Sequence, residues 1–283
     1  MVYLNSFSFP SDETEFDFLM GIKRKCYDTF YPFKILSSRG LSQLDFEPIT
    51  ILYGGNGSGK STALNVMAEK LGLTRESAYN RSNFFEDYLR FCHKESREIP
   101  KESCIITSDD VFDYMLNIRS LNNGIDLKRE ELFDEYLEAK HARHQFKSLE
   151  DYERIKIVNQ AKSKTSSMFA RLNVMDNVIE KSNGESGYMY FTQKVKENSL
   201  YLLDEPENSL SPERQIELVK FIEESVRFFG CQFIISTHSP FLLGMNSAKI
   251  YDLDEYPVRT KKWTSLKNVQ MYRKFFKDHD DEF

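Results

Sequence analysis

Nine residues, GGNGSGKST at positions 54–62, constrain the fold of this chain more than any other stretch. They follow the apolar run Ile49, Ile51, Leu52 and Tyr53 and precede the periodic run Ala63, Leu64, Met67, Ala68 and Leu71, so they read as a loop joining a strand to a helix. A phosphate chain carries dense negative charge, and backbone N–H groups converge on it only where no side chain stands in the way. Gly54, Gly57 and Gly59 remove that obstacle. The helix that follows offers unpaired N–H groups and its positive dipole end to the same oxygens. Lys60 adds a mobile charge across the β and γ phosphates, the Ser61 hydroxyl is placed to ligate Mg2+, and Thr62 reaches the α phosphate. Gly55, Asn56 and Ser58 complete the set of phosphate-binding candidates. Average composition gives such a match roughly a 1% chance of arising by accident in a chain this long.

The 283 residues suffice for one large α/β domain or two modest ones. A net charge of −6 argues against a constitutively basic nucleic-acid binder, while leaving room for a local basic patch. Cys26, Cys92, Cys104 and Cys231 are far apart and match no metal or redox spacing, so reduced thiols and a cytoplasmic location are expected. Neither a signal peptide nor a membrane span is expected, since the start lacks basic and apolar leader regions and no run approaches 18 apolar residues.

Along the chain, residues 2–9, 31–35, 44–46 and 49–53 read as strand pieces of a β-rich entry, with a short helix at 15–27. The helix 58–71 should stop at Gly72. Residues 73–103 show no clear period. A buried strand is expected at 103–108 and a helix at 111–119, followed by a loop at Asn122, Asn123 and Gly124 and helices at 127–144, 149–161 and 164–179. From 140 to 171 this lobe holds eight Lys/Arg against three Asp/Glu, either as a solvated helix face or as a contact surface for nucleic acid or an acidic partner.

Tyr201, Leu202 and Leu203 form an all-apolar strand that delivers Asp204 and Glu205 to its carboxyl end, where ligands bind in α/β sheets. Asp204 would hold Mg2+ opposite Ser61, and Glu205 would act as general base on the attacking water. Two adjacent carboxylates are too costly to desolvate without such a metal. Ser211 can cap and Pro212 open a helix with an apolar stripe of Ile216, Val219, Ile222, Val226 and Phe229, stopped by Gly230. The buried strand 231–235 then leads to His238, at the same sheet edge as Glu205 and in reach of the γ phosphate. A strand at 249–253 and a helix at 269–277 close the reading.

With these residues in hand the chain resembles the ATP-binding cassette ATPases, in the branch shared by SMC-type proteins rather than the transporter branch. The resemblance is carried by GGNGSGKST, by SNGES at 182–186, LYLLDEPENSLSP at 200–212 and STHSPFLL at 236–243. With YPF at 31–33 and DEPENSLSPERQ, the chain looks like a group of small standalone bacterial ATPases. The resemblance implies an α/β P-loop fold with a mixed sheet and a β-rich beginning, with a helical lobe at about 108–197 inserted between 1–107 and 198–283. It also implies a head-to-tail homodimer formed on ATP, in which Ser182 and Gly184, backed by a helix at 186–195, close on the γ phosphate of the other copy. Asn208 and Ser209 would meet the partner's site. Tyr31 and Phe33 lie where such proteins place an aromatic that stacks on adenine, the alternative being two core aromatics.

Position 183 is Asn where the common signature has Gly, and 185 is Glu where it has Gln. No clear switch glutamine is present, and Ser108 and Asp109 are expected in its place. The expected activity is Mg2+-dependent ATP hydrolysis, ATP being preferred over GTP because no NKxD guanine reader occurs. A nucleic-acid-linked or defence role is expected, with a further protein partner as an additional expectation. The alternatives are a transporter's nucleotide-binding subunit, against which ENSLSP argues, and a non-hydrolysing switch that dimerises on ATP.

Overall fold

The computed structural model describes residues 1–23, 26–27, 29–141, 152–178 and 183–282. The first part runs β1 (Leu4–Ser8), α1 (Asp12–Gly21), β2 (Gln43–Asp45), β3 (Ile49–Tyr53), α2 (Lys60–Leu71), α3 (Phe85–Phe91), β4 (His93–Ser96) and β5 (Cys104–Thr107). Four helices follow: α4 (Ser108–His141), α5 (Tyr152–Ser163), α6 (Ser166–Asn173) and α7 (Asn183–Lys194). The remainder is β6 (Leu200–Asp204), α8 (Pro212–Phe229), β7 (Gln232–Thr237), α9 (Pro240–Leu243), β8 (Lys249–Asp252), β9 (Arg259–Thr260) and α10 (Lys267–Asp278). The protein is thus a mixed α/β structure, and it divides into two units, residues 1–112 with 183–283 and residues 113–182.

The larger unit is built on a six-stranded sheet of order β5-β6-β7-β3-β8-β9, parallel except for β9. Its register decides where the chemistry goes. Thr107 pairs with Asp204, Asp204 with Ser236, and Ser236 with Leu52, so the carboxyl ends of four strands finish on one line. All of β3 and β7 is buried, as expected for strands covered on both faces. Helix α2 is buried in the core through Ala63, Leu64, Val66, Met67 and Ala68, the three larger side chains contributing about 1.5–3 kcal/mol each. Gly72 ends α2 in the left-handed region, as the sequence indicates.

A three-stranded antiparallel sheet, β2-β1-β4, adjoins the large one. The fully buried amide of Gln232 bolts the two together. Its Oε1 accepts from Tyr3 N at 2.8 Å and Leu4 N at 2.9 Å, and its Nε2 donates to Leu4 O at 3.0 Å.

Several expectations need correction. Residues 31–35 form turns, not a strand: Lys34 sits at φ 63° and its N–H donates to the carboxylate of Glu15, which is buried in α1. Helix α1 starts at Asp12, before the expected 15, because the Ser11 side chain caps it by accepting from Thr14 N. The unpatterned stretch 73–103 contains α3 and β4. The loop expected at 122–124 is helix interior, and the separate helices at 111–119 and from 127 are both α4. An Asn and a Gly cost a helix about 1 kcal/mol or less each. The Asn122 amide offsets this by bonding Val178 O and Val178 N, both at 2.9 Å. The helix expected at 164–179 is α6, ending at Asn173. On α8 the inward positions are Leu218, Ile222 and Ser225, whereas Ile216 and Phe229 are exposed.

The smaller unit has its own core, in which Leu132, Tyr136 and Ala139 of α4 meet Val158 and Ala161 of α5 and Phe169 and Ala170 of α6. The Tyr136 hydroxyl donates to Lys164 O at 3.1 Å.

Replacing Gln232 by Leu keeps the volume but leaves two N–H groups and a carbonyl without partners in the core. The expected loss is about 3 kcal/mol of unfolding free energy, read from urea denaturation, and a variant within 0.5 kcal/mol of the parent would remove the amide from its structural role.

Candidate active site

The loop 54–59 leaves β3 and turns straight into α2. Gly59 sits at φ 95°, and a Cβ there would lie 2.9 Å from Leu36 Cδ2, so only glycine fits. A Cβ on Gly54 would lie 2.5 Å from Ser58 Oγ, which is itself buried with no partner among the described residues. Lys60 is buried beneath the loop, where its Nζ donates to Gly54 O at 2.8 Å and Gly55 O at 3.1 Å. The same ammonium is 3.5 Å from Glu205 Oε1.

Strand β6 delivers the acids. Asp204 Oδ1 accepts from Ser61 Oγ at 3.1 Å and from Ser236 Oγ on β7. Burial pushes the Asp204 carboxyl above the ordinary range, and the hydrogen bonds from Ser236 and Ser61 pull it back in part. Glu205 stands in the left-handed region at φ 48°, a conformation that costs a non-glycine residue about 1–2 kcal/mol. That strained turn directs Glu205 toward Lys60 while its Oε2 accepts from Asn208 Nδ2 at 3.0 Å. His238, half exposed, has its Nδ1 3.8 Å from Glu205 Oε1.

One residue that sequence reasoning passed over organises this edge. Glu207 is buried, and its Oε1 accepts from Thr237 Oγ1 at 2.6 Å, His238 N at 2.9 Å and Ser239 N at 3.3 Å. The available signal was a third acid within four residues of a buried strand. The carbonyl of His238 is in turn held by Asn268 Nδ2 of α10, whose N–H donates to Tyr53 OH at 3.2 Å. Asp254, also unremarked, accepts from Gly55 N at 2.9 Å.

A cleft of ≈ 420 Å3 opens beside these groups, lined among others by Ser61, Asn65, Arg75, Tyr79, Ser108, Asp109, Asp204 and Glu205. Ser108 and Asp109, expected at the switch position, therefore border the acids. The Arg75 guanidinium lies 3.8 Å over the Tyr79 ring and donates to Asn65 Oδ1 at 2.9 Å.

The structure thus gathers 54–62, Asp204, Glu205, Asn208 and His238. Of the remaining candidates, Tyr31 touches this set through Thr62 and Phe33 does not. Phe33 is a core residue, stacked on Phe18 at 4.8 Å and edge-on to Tyr88 at 5.0 Å, so the adenine role considered for it is corrected: no face is free for a base. Tyr31 is half buried and donates from its hydroxyl to Thr62 Oγ1 at 3.4 Å. Helix α7 begins at Asn183, not 186, so Gly184 lies in its first turn, and its expected contact with the other copy's γ phosphate involves a second chain. Ser182 and the side chain of Ser209 lie outside the described residues. Ser61 and Asp204 supply two hard oxygen donors, which fits Mg2+, an ion that keeps several waters and takes one or two carboxylates together with substrate phosphates.

Two family matches cover this region. A family described as "ABC transporter" matches residues 43–208, and one described as "AAA ATPase domain" matches residues 185–243. Among curated proteins none matches. Similar solved structures include an Smc head bound to the C-winged helix domain of ScpA, 15% identical, covering 78% of this chain and 93% of that one, with a TM-score of 0.39. An Smc head domain from Pyrococcus furiosus bound to the C-terminal domain of ScpA is 14% identical, covering 82% and 94%, with a TM-score of 0.39. A dimeric ATP-binding cassette bound to ADP and Pi is 14% identical, covering 80% and 91%, with a TM-score of 0.35.

Because the folded Asp204 carboxyl titrates above its unfolded value, its favourable contribution is complete below about pH 4 and is lost as the pH rises through the folded value. Asp204→Asn should therefore stabilise the nucleotide-free protein at neutral pH, by on the order of 1 kcal/mol. Thermal unfolding of parent and variant across pH 4–8 should show the gap widening with pH, and a gap of the opposite sign would contradict it.

Proposed function

The chain belongs to the family described as ABC transporter, whose match spans more than half of it, and from that premise we propose that it is a Mg2+-dependent ATPase whose two copies close head to tail on ATP. The observation that carries this reading is the placement of Lys60, Ser61, Asp204 and Glu205 within hydrogen-bonding or ion-pair distance at one sheet edge. Among the described residues no helix is long and apolar enough to cross a membrane.

In this reading Lys60, poised over the loop by two carbonyls, takes the β and γ phosphate oxygens, and the loop N–H groups take the rest. Ser61 and Asp204 would hold Mg2+, which would supply charge neutralisation for the phosphates. Glu205, restrained by Asn208, orients the attacking water and accepts its proton as the water oxygen bonds to the γ phosphorus and the bridge to ADP breaks. His238 contacts the γ phosphate. Ser182 and Gly184 complete the site of the opposite copy, and Asn208 and Ser209 line the seam. This seam reading rests on the family resemblance.

Glu205→Gln should bind ATP as the parent does, accumulate as an ATP-bound dimer, and lose about 10²-fold or more in phosphate release. Parent-like turnover in that variant would remove Glu205 from the role of base, and no turnover in the parent would favour the non-hydrolysing switch.

For the partner, we infer a nucleic acid met by the basic stretch at 140–171, where Lys156, Lys162 and Arg171 are exposed on the helices of the smaller unit. Reversing Lys156, Lys162 and Lys164 should weaken DNA binding at least about tenfold and flatten its salt dependence. Equal binding by parent and variant at low salt would dismiss this surface.

A further inference from the structure

Glu207 sits in the single 3-10 turn Pro206–Ser209, between the end of β6 and the start of α8. All of its hold on the sheet edge passes through one atom. Oε1 accepts from Thr237 Oγ1, His238 N and Ser239 N, whereas Oε2 is buried without a partner among the described residues. A carboxylate offers acceptors and no donor, which suits three donors at one oxygen, and such bonds are roughly twice as strong as neutral ones.

The residues on either side of His238 are also held by other means. Thr237 pairs with Tyr53 at the end of β7, and Ser239 caps the short helix α9 with its own side chain. What the carboxylate adds is a fixed backbone between them, at His238, whose carbonyl Asn268 Nδ2 holds from the other side. The ring is left out of this grip. Its Nδ1 lies 3.5 Å from Glu207 Oε1 and 3.8 Å from Glu205 Oε1, too long for either acid to hold it fast. The same turn also serves Glu205, whose Oε2 accepts from Asn208 Nδ2 at 3.0 Å. Adjacent residues of one turn therefore fix Glu205 and the mount of His238.

We propose that Glu207 is a positioning residue for ATP hydrolysis: it fixes the backbone from which His238 reaches the γ phosphate, and acts on the reaction only through that residue. This rests on the reading of His238 as a γ phosphate contact. A slack strap would let the imidazole miss its oxygen by about 1 Å, and misplacement of that size costs up to about 10²-fold in rate. A carboxylate that merely braced the strand would matter equally whatever residue stood at 238. One that acts through His238 has nothing further to lose once the imidazole is gone.

The test measures phosphate release from ATP with Mg2+, and ADP binding by calorimetry, on the full chain. Glu207→Ala should lose about tenfold or more in turnover, while ADP, which has no γ phosphate, binds within about twofold of the parent. Glu207→Gln keeps an oxygen acceptor and should recover most of that loss. In a His238→Ala background, itself slowed, adding Glu207→Ala should change turnover by less than about twofold. Thr237→Val removes one of the three donors and keeps the shape of the side chain. It should show a smaller loss with the same dependence on His238, and it decides the matter if Glu207→Ala does not fold. Parent-like turnover in Glu207→Ala overturns the proposal, as does a Gln variant no better than Ala, or an effect of Glu207→Ala or Thr237→Val that persists at full size without His238. No turnover in the parent, or parent-like turnover in His238→Ala, removes the underlying reading and the proposal with it. A slowed His238→Ala beside a parent-like Glu207→Ala leaves that reading standing and dismisses Glu207 alone.

Discussion

Asp204 Oδ1 accepts from Ser61 at the start of α2 and from Ser236 at the end of β7, so one carboxylate oxygen joins three segments far apart in the chain. That junction exists because β6 pairs in parallel with β7 in a register that sets Asp204 against Ser236, and β7 pairs with β3 so that Ser236 stands against Leu52. A slip of one residue in either pairing would turn the carboxylate into the opposite face of the sheet. The buried strands therefore do more than fill the core: their fit fixes where the phosphate loop, the acids and the His238 strap meet.

The edge is held at an energetic cost. A half-buried carboxylate, a buried ammonium and a glutamate in a left-handed conformation stand side by side, and each would be easier to keep elsewhere. The phosphate loop offsets part of this by giving Lys60 two carbonyl acceptors, and Ser61 and Ser236 do the same for Asp204. What remains is a concentration of charge and strain suited to a ligand that brings opposite charge in the right order.

Much of this was legible in the sequence because it depends on local chemistry. The glycines of 54–59, the apolar run ending in Asp204 and Glu205, and the Ser211–Pro212 helix start follow from rules that hold over a few residues. What was not legible depends on distant partners. Residues 31–35 alternate like a strand, yet Lys34 N–H is taken by the Glu15 carboxylate. Asn122 and Gly124 look like a break, yet Val178 satisfies the asparagine and α4 continues. Glu207 carries no motif value by itself, and its importance appears only once β7 brings three donors to it. The aromatics of YPF divide for the same reason, since the packing of Phe18 and Tyr88 claims Phe33.

The strap at 237–239 is gripped from two directions: Glu207 takes its N–H groups and hydroxyl, and Asn268 takes the carbonyl of His238. The backbone there has little freedom, whereas the imidazole projects half into solvent. Any response of this residue to an arriving anion is then a turn about its side-chain bonds, on the picosecond-to-nanosecond scale of exposed rotamers, and not the slower swing of a loop. A rigid mount whose side chain alone turns can report the presence of charge without itself becoming a gate.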